Sequence, residues 1–193
     1  MGRKGHCREH MLESGLSVFL LNGYNGTGVK DIVEASGVPK GSFYNHFKSK
    51  QAFAIEAVEL LAERNMEHTK MILRDESKSP GTRLLTWFDF MFDSFAEESY
   101  KGGCLVGNLC LEMSDSDDEI RESVNSIIQR YINLIRDCLD EAKSLNELAV
   151  SQDTLVLAEF IHCAWEGTIM HMKASKNDGP YKTFRRQIEA YFS

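Results

Sequence analysis

Apolar positions recur every three to four residues along most of the chain, a spacing that predicts helices rather than strands. Ile120, Val124, Ile127, Ile128, Tyr131, Ile135, Cys138 and Ala142 mark one long amphipathic helix. Leu155, Ala158, His162, Trp165, Ile169 and Met172 mark another. Lys50 to Leu73 contains no Gly or Pro, and Phe53, Ala57, Leu60, Leu61 and Arg64 fall on helical spacing. From Thr82 to Ala96 the large apolar groups Leu84, Leu85, Trp87, Phe88, Phe90, Met91, Phe92 and Phe95 crowd so closely that a helix buried on most sides is expected. No alternating strand pattern and no repeat stands out. The expected fold class is all-α, with about nine helices.

Breaks between these segments use the residues that stop or start helices. Arg74 to Pro80 is polar, Gly102-Gly103 interrupts, and Ser114 to Glu119 forms a turn whose carboxylates suit the positive end of a helix dipole. Lys176 to Pro180 ends the second long helix, and Tyr181 to Phe192 makes a short last one. Each of the three prolines, Pro39, Pro80 and Pro180, stands where a helix should begin. The Trp/Ile/Met stripe has two readings. It is core within one chain, or part of each of the last two long helical segments packs against its copy, making a homodimer through a four-helix interface.

Composition narrows the class. The chain has 193 residues, 42% hydrophobic and 26% charged, which argues for a folded protein rather than a disordered one. No stretch reaches the roughly 18 consecutive apolar residues of a membrane helix. The basic start is not followed by an apolar leader core, and His6 stands where a myristoylation signal wants Ser or Thr. A cytoplasmic protein is expected, with no membrane partner and with its five widely spaced cysteines reduced.

The net charge of −7 is unevenly spread. Residues 1–50 carry seven Lys/Arg against four acids, or +3, which leaves 15 against 25, or −10, for residues 51–193. A basic module on an acidic body suits a protein that approaches phosphate with one end only. Two parts are expected: residues 1–50, a basic module, and residues 51–193, an acidic helical body.

Thr27 to Phe47 carries the most information. Thr27 can cap a short helix with Val29, Ile32 and Val33 on its apolar face. Gly37 stands where a tight turn needs φ > 0, and Pro39 pre-sets the first turn of a second helix with Phe43 and Phe47 inward. A preceding helix with Leu12, Leu16, Phe19 and Leu20 would cover both. This is the helix-turn-helix plan. The outward side of the second helix holds Lys40, Ser42, Tyr44, Asn45 and His46, then Lys48 and Lys50, with no acid among them. Such donors suit a major groove flanked by phosphate, and Gly41 would let backbone come close to DNA.

Gly23-Tyr24, Thr27, Asp31-Ile32, Gly37-Val38 and above all Lys40-Gly41-Ser42-Phe43-Tyr44-Asn45-His46-Phe47-Lys48-Ser49-Lys50 resemble the DNA-binding domain of the TetR/AcrR family of bacterial transcription regulators. Gly28 and Asn45 depart from the usual residues, which bears on operator preference rather than on fold. The resemblance implies a homodimer on a palindromic double-stranded DNA operator and a small-molecule effector. It places Thr27 and Lys30 at phosphate or the groove edge, Lys40, Gly41 and Ser42 at bases, and Tyr44, His46 and Lys50 on the DNA backbone.

Gly103-Cys104-Leu105, Leu109 and Glu112 resemble a stretch of the TetR subgroup that contains the N-ethylmaleimide reductase repressor, whose members include regulators of reactive-electrophile detoxification. Cys104, expected near a helix N-terminus, is either a thiol activated for alkylation or oxidation or a small packing residue after the double glycine. Trp87, Phe88, Phe92, His162 and Trp165 are the other candidate effector contacts. A histidine on an apolar helix face is more often a hydrogen-bonded pocket residue than a ligand, so no metal and no cofactor is assigned. The competing function is a cytosolic thiol-dependent enzyme with Cys104 as nucleophile and His162 or His171 as base.

Overall fold

In the computed structural model the described residues run from Arg3 to Phe192, with side chains described from Cys7 onward. The basic start weighed above as a leader, Met1 to His6, therefore lies outside the described side chains. The elements are α1 (Arg3–Asn22), α2 (Val29–Ala35), α3 (Lys40–Tyr44), α4 (Lys50–Leu73), α5 (Pro80–Glu97), α6 (Leu105–Met113), α7 (Asp118–Ser144), α8 (Thr154–Ser175) and α9 (Gly179–Glu189), then a single 3₁₀ turn, Ala190–Phe192. No strand occurs among the described residues, so the chain is all-α. The prolines act as expected: Pro39 precedes α3 at its N-cap, and Pro80 and Pro180 occupy the first turns of α5 and α9.

The chain packs as two compact units that interleave in sequence. One takes the chain up to Arg64 together with Cys104–Ile127; the other takes Asn65–Gly103 and the chain from Ile128 on. The long helices α4 and α7 each contribute to both units.

The first unit is built on an aromatic core. Phe43 of α3 lies 5.5 Å from Phe53 of α4, Phe47 lies 4.8 Å from Phe53, and Phe19 of α1 lies 5.7 Å from the same ring. All four are essentially inaccessible. Each such burial is worth about 1.5–3 kcal/mol, a large term for helices as short as α2 and α3, which could not persist alone. Met11, Leu12 and Leu16 of α1 and Ile32 and Val33 of α2 complete this core.

In the second unit, Leu84, Trp87 and Phe88 of α5, Ile132, Ile135 and Leu139 of α7, Ala158, Ile161 and Trp165 of α8, and Tyr181, Phe184 and Ile188 of α9 are buried. Buried Arg83 donates from Nη1 to the Leu73 carbonyl at 2.9 Å and pairs through Nη2 with Glu141. It thus satisfies one of the carbonyls left open at the end of α4. The expectation that α5 is buried on most sides needs correction. Phe90 is 47% exposed, and Leu85, Met91, Phe92 and Phe95 are half-buried, because Asp93 and Ser94 keep part of the helix toward water.

Candidate nucleic-acid interface and sensor residues

The helix-turn-helix is assembled by local chemistry. Gly28, not Thr27, caps α2, and the Asp31 carboxylate accepts the Gly28 N–H at 2.7 Å. Gly37 takes φ +64 and donates to the Glu34 carbonyl, while Val38 N–H reaches the Val33 carbonyl at 3.0 Å. A left-handed residue after the helix is what lets these bonds close α2 and turn the chain into α3.

With Phe43 and Phe47 turned into the core, Lys40, Gly41, Tyr44, Asn45 and Lys48 are exposed, and Ser42 and His46 are half-buried. Tyr44, 57% exposed, rests edge-on against Phe43 at 5.3 Å. No acid lies between Lys40 and Lys50. Among the described residues a Cβ added at Gly41 would meet nothing within 4 Å, so no packing between them demands glycine there. Lys30 is exposed and pairs with Glu34 at 3.6 Å, a surface interaction worth little.

Two residues assigned to DNA backbone contact are turned inward. Thr27 is 1% exposed, and its hydroxyl donates to the Gly23 carbonyl at 2.7 Å. The Lys50 ammonium donates to the Tyr24 and Thr27 carbonyls at 3.0 and 2.9 Å and lies 3.9 Å from the centre of the Tyr24 ring. Burial pulls the Lys50 pKa down, opposed by the charge of Glu112. Both side chains serve the turn between α1 and α2, whose backbone groups need partners once they leave water.

The candidate sensor residues divide between the two units. Cys104, in the first, is the N-cap of α6, and its Sγ accepts the Gly107 N–H at 3.4 Å. In the second, Phe88 lies 4.6 Å from Trp87 and 5.1 Å from Trp165, and Phe184 joins them at 4.8 Å from Phe88. Trp87 Nε1 donates to Thr69 at 3.0 Å, whereas the buried Trp165 Nε1 has no hydrogen-bond partner among the described residues. Phe92 stacks on Tyr181 with centroids 4.1 Å apart. His162 is buried, which lowers its pKa. The Tyr181 hydroxyl bonds the Asp89 carboxylate, to which Arg185 Nε also donates at 2.9 Å. Tyr181 and Phe184 were missed in the sequence, where the last helix showed no more than a closing segment. Their spacing of three on α9 was the available signal. Among the described residues no three His, Cys, Asp or Glu side chains gather as metal ligands.

Sequence reasoning also overlooked one face of α8. Of the stripe it singled out, Ala158, His162, Trp165, Ile169 and Met172 are buried within the protomer, whereas Leu155, in the first turn, is 41% exposed. On the opposite side Val156 (60%), Phe160 (51%), Cys163, Gly167 and Met170 (66%) are exposed at steps of four and three. A helix apolar all round needs cover on both faces, and that was the missed signal. Beside this stripe runs a groove of about 700 Å³ between α8 and α9, lined by Phe160, Gly167, His171, Pro180, Thr183 and Gln187.

Comparison with known proteins agrees with this geometry. Residues 11–57 match the family described as bacterial regulatory proteins, tetR family, and residues 80–188 match the tetracyclin repressor-like C-terminal domain. The chain belongs to the TetR family of transcriptional regulators. It is similar to the HTH-type transcriptional repressor DhaR of Mycobacterium sp. (strain GP1), 33% identical over 177 residues that cover 92% of this chain and 87% of the relative. It is also similar to the repressor NemR of Escherichia coli K12, 25% identical over 90% of this chain and 87% of that one. The crystal structure of regulatory protein TetR from Rhodobacter sphaeroides superposes with a TM-score of 0.90 at 29% identity, covering 96% of this chain and 98% of that one. A TetR-family regulator is not an enzyme, and the thiol-enzyme alternative built on Cys104, His162 and His171 has no support. No helix among the described residues is long and apolar enough to cross a membrane.

Proposed function

We propose that the chain is a cytoplasmic repressor that binds a palindromic operator as a homodimer and leaves it when a small apolar or electrophilic effector binds. Residues 1–50 act as the DNA-binding module and 51–193 as the effector-binding and dimerisation domain. The observation that carries the reading is the acid-free outward side of α3 and the segment after it, displayed by the ring core beneath. Lys40, Gly41 and Ser42 face bases; Tyr44, His46 and Lys48 take phosphates, with Lys30 at the groove edge. Thr27 and Lys50 support this surface from inside.

Two copies meet through the exposed side of α8, whose apolar residues the protomer leaves in water, and the adjoining polar side of α9. Half-sites then lie about one helical turn apart or slightly more. The effector lodges in the second unit against Trp87, Phe88, Phe92, His162 and Trp165, and Cys104 answers electrophiles. Its Sγ caps the first turn of α6, which is the observation behind the electrophile branch.

The deciding experiment is a salt titration of binding to duplex DNA flanking the gene. Lys48→Ala should weaken binding to all sequences and reduce the slope of log K against log salt by about 1. Ser42 substitutions should change which operator is preferred. Gly41→Ala should leave the fold as stable as before, or more so by up to about 1 kcal/mol, while operator affinity drops. Wild-type protein with no preference for any flanking segment over bulk DNA would refute the reading. For the thiols, a trace maleimide should label Cys104 ahead of exposed Cys163 and of buried Cys138, whose thiol burial pushes up to about 12; Cys104 no faster than either would remove it as a sensor.

A further inference from the structure

The turn between α1 and α2 decides how α2 and α3 are presented, and its backbone is held from two sides. Its carbonyls at Tyr24 and Thr27 accept from Lys50, within the DNA-binding module. Two of its N–H groups find their acceptor far along the sequence: Tyr24 N–H donates to Glu112 Oε1 at 3.2 Å and Asn25 N–H to Glu112 Oε2 at 2.7 Å. One carboxylate therefore engages two successive amides of the turn. Gly23 makes room for it: the residue has φ +73, and a Cβ there would lie well inside van der Waals contact with Glu112 Oε1.

Glu112 sits in the last turn of α6, on one face with Leu105 and Leu109, which are 3% and 1% exposed. The spacing Leu105, Leu109, Glu112 thus has a physical meaning. Two apolar knobs seat α6, and the third position on the same face carries the charge that grips the turn. Charge-assisted bonds of this kind are about twice as strong as neutral ones. Within the first unit, the 1–50 module lacks these two acceptors until α6 supplies them.

We propose that Glu112 is a positioning residue for the DNA-reading surface, so that the placement of α6 sets operator affinity through the α1–α2 turn. This rests on the operator-binding reading above. Glu112 touches no DNA; it fixes the start of α2, and α3 follows through the Gly37 turn. Loss of the carboxylate should lower affinity without changing the charge count at phosphate or the choice of bases.

The test uses the full chain. Glu112→Ala should weaken operator binding at least tenfold, with the salt slope and the ranking of operator variants unchanged and the DNA-competent fraction, titrated stoichiometrically, intact. Glu112→Gln, which keeps one carbonyl acceptor, should recover part of that loss. Gly23→Ala should be damaging in the wild type and less so beside Glu112→Ala, since part of its harm is the collision with the carboxylate. Without DNA, the Tyr24 and Asn25 amides should exchange slowly in the wild type and at least tenfold faster in Glu112→Ala. If Glu112→Ala does not fold, the Glu112→Gln affinity and amide exchange decide. Equal affinity within twofold, equal amide exchange, or a loss confined to the competent fraction would overturn the proposal. Wild-type protein that shows slow Tyr24 and Asn25 exchange yet binds no operator would instead refute the operator reading, and with it the affinity role given to Glu112.

Discussion

The outward sides of α3 and α8 are both uncovered in the protomer, and they are chemical opposites. α3 and its extension offer Lys40, Ser42, Tyr44, Asn45, His46 and Lys48; α8 offers Val156, Phe160, Cys163, Gly167 and Met170. Five residues of helix suffice for the first because Phe43, Phe47 and Phe53 brace it from behind. The second needs 22 residues, since an apolar seam gains its free energy from area rather than from a few placed donors. An uncovered face states what it is built to meet. Donors without acids suit an anionic polymer, and an apolar stripe suits another apolar stripe.

The sharpest way to break the contrast is to remove the brace. Phe43→Ala should destabilise the first unit by about 3–5 kcal/mol, read as a fall in the urea midpoint, and should abolish operator binding with it. Next comes a charge on the other face. Phe160→Glu or Met170→Glu should leave a folded protomer but weaken self-association at least a hundredfold, seen by sedimentation velocity, because a carboxylate would have to be buried unpaired. A dimer that survives both changes would move the interface elsewhere.

Smaller effects sharpen the comparison. Tyr44→Phe removes only a hydroxyl from the exposed side of α3, so affinity should fall severalfold while stability stays within about 0.5 kcal/mol. On the covered side of α8, burial lowers the pKa of His162 from 6.5. The unfolded chain therefore binds a proton below pH 6.5 that the folded chain refuses. The stability tied to the neutral ring is complete above that pH and is lost as acid is added. Wild-type stability should fall more steeply below pH 6.5 than that of His162→Gln, by at most about 1.4 kcal/mol per pH unit. Equal slopes would show that the ring is solvated.

Much of the molecule was legible locally. Helical periodicity placed the long helices, prolines marked where α3, α5 and α9 begin, and Gly37 marked the turn into α3. Phe43 and Phe47 inward with Lys40 and Tyr44 outward also follow from spacing alone. Thr27 and Lys50 were harder. Both belong to a pattern associated with DNA, but a motif does not say whether a polar group faces a phosphate or a carbonyl of its own chain.

The sequence by itself determined the helices, their order, the turn and the donor-rich side of α3, because 3.6-residue periodicity and turn chemistry act over a few neighbouring positions. Only the tertiary structure decided that Lys50 faces the α1–α2 turn, that Glu112 reaches back 88 residues to the amide of Tyr24, and which side of α8 stays in water. Those outcomes depend on which distant groups are brought within hydrogen-bonding or van der Waals reach. Packing of the whole chain sets that proximity, and no local pattern encodes it.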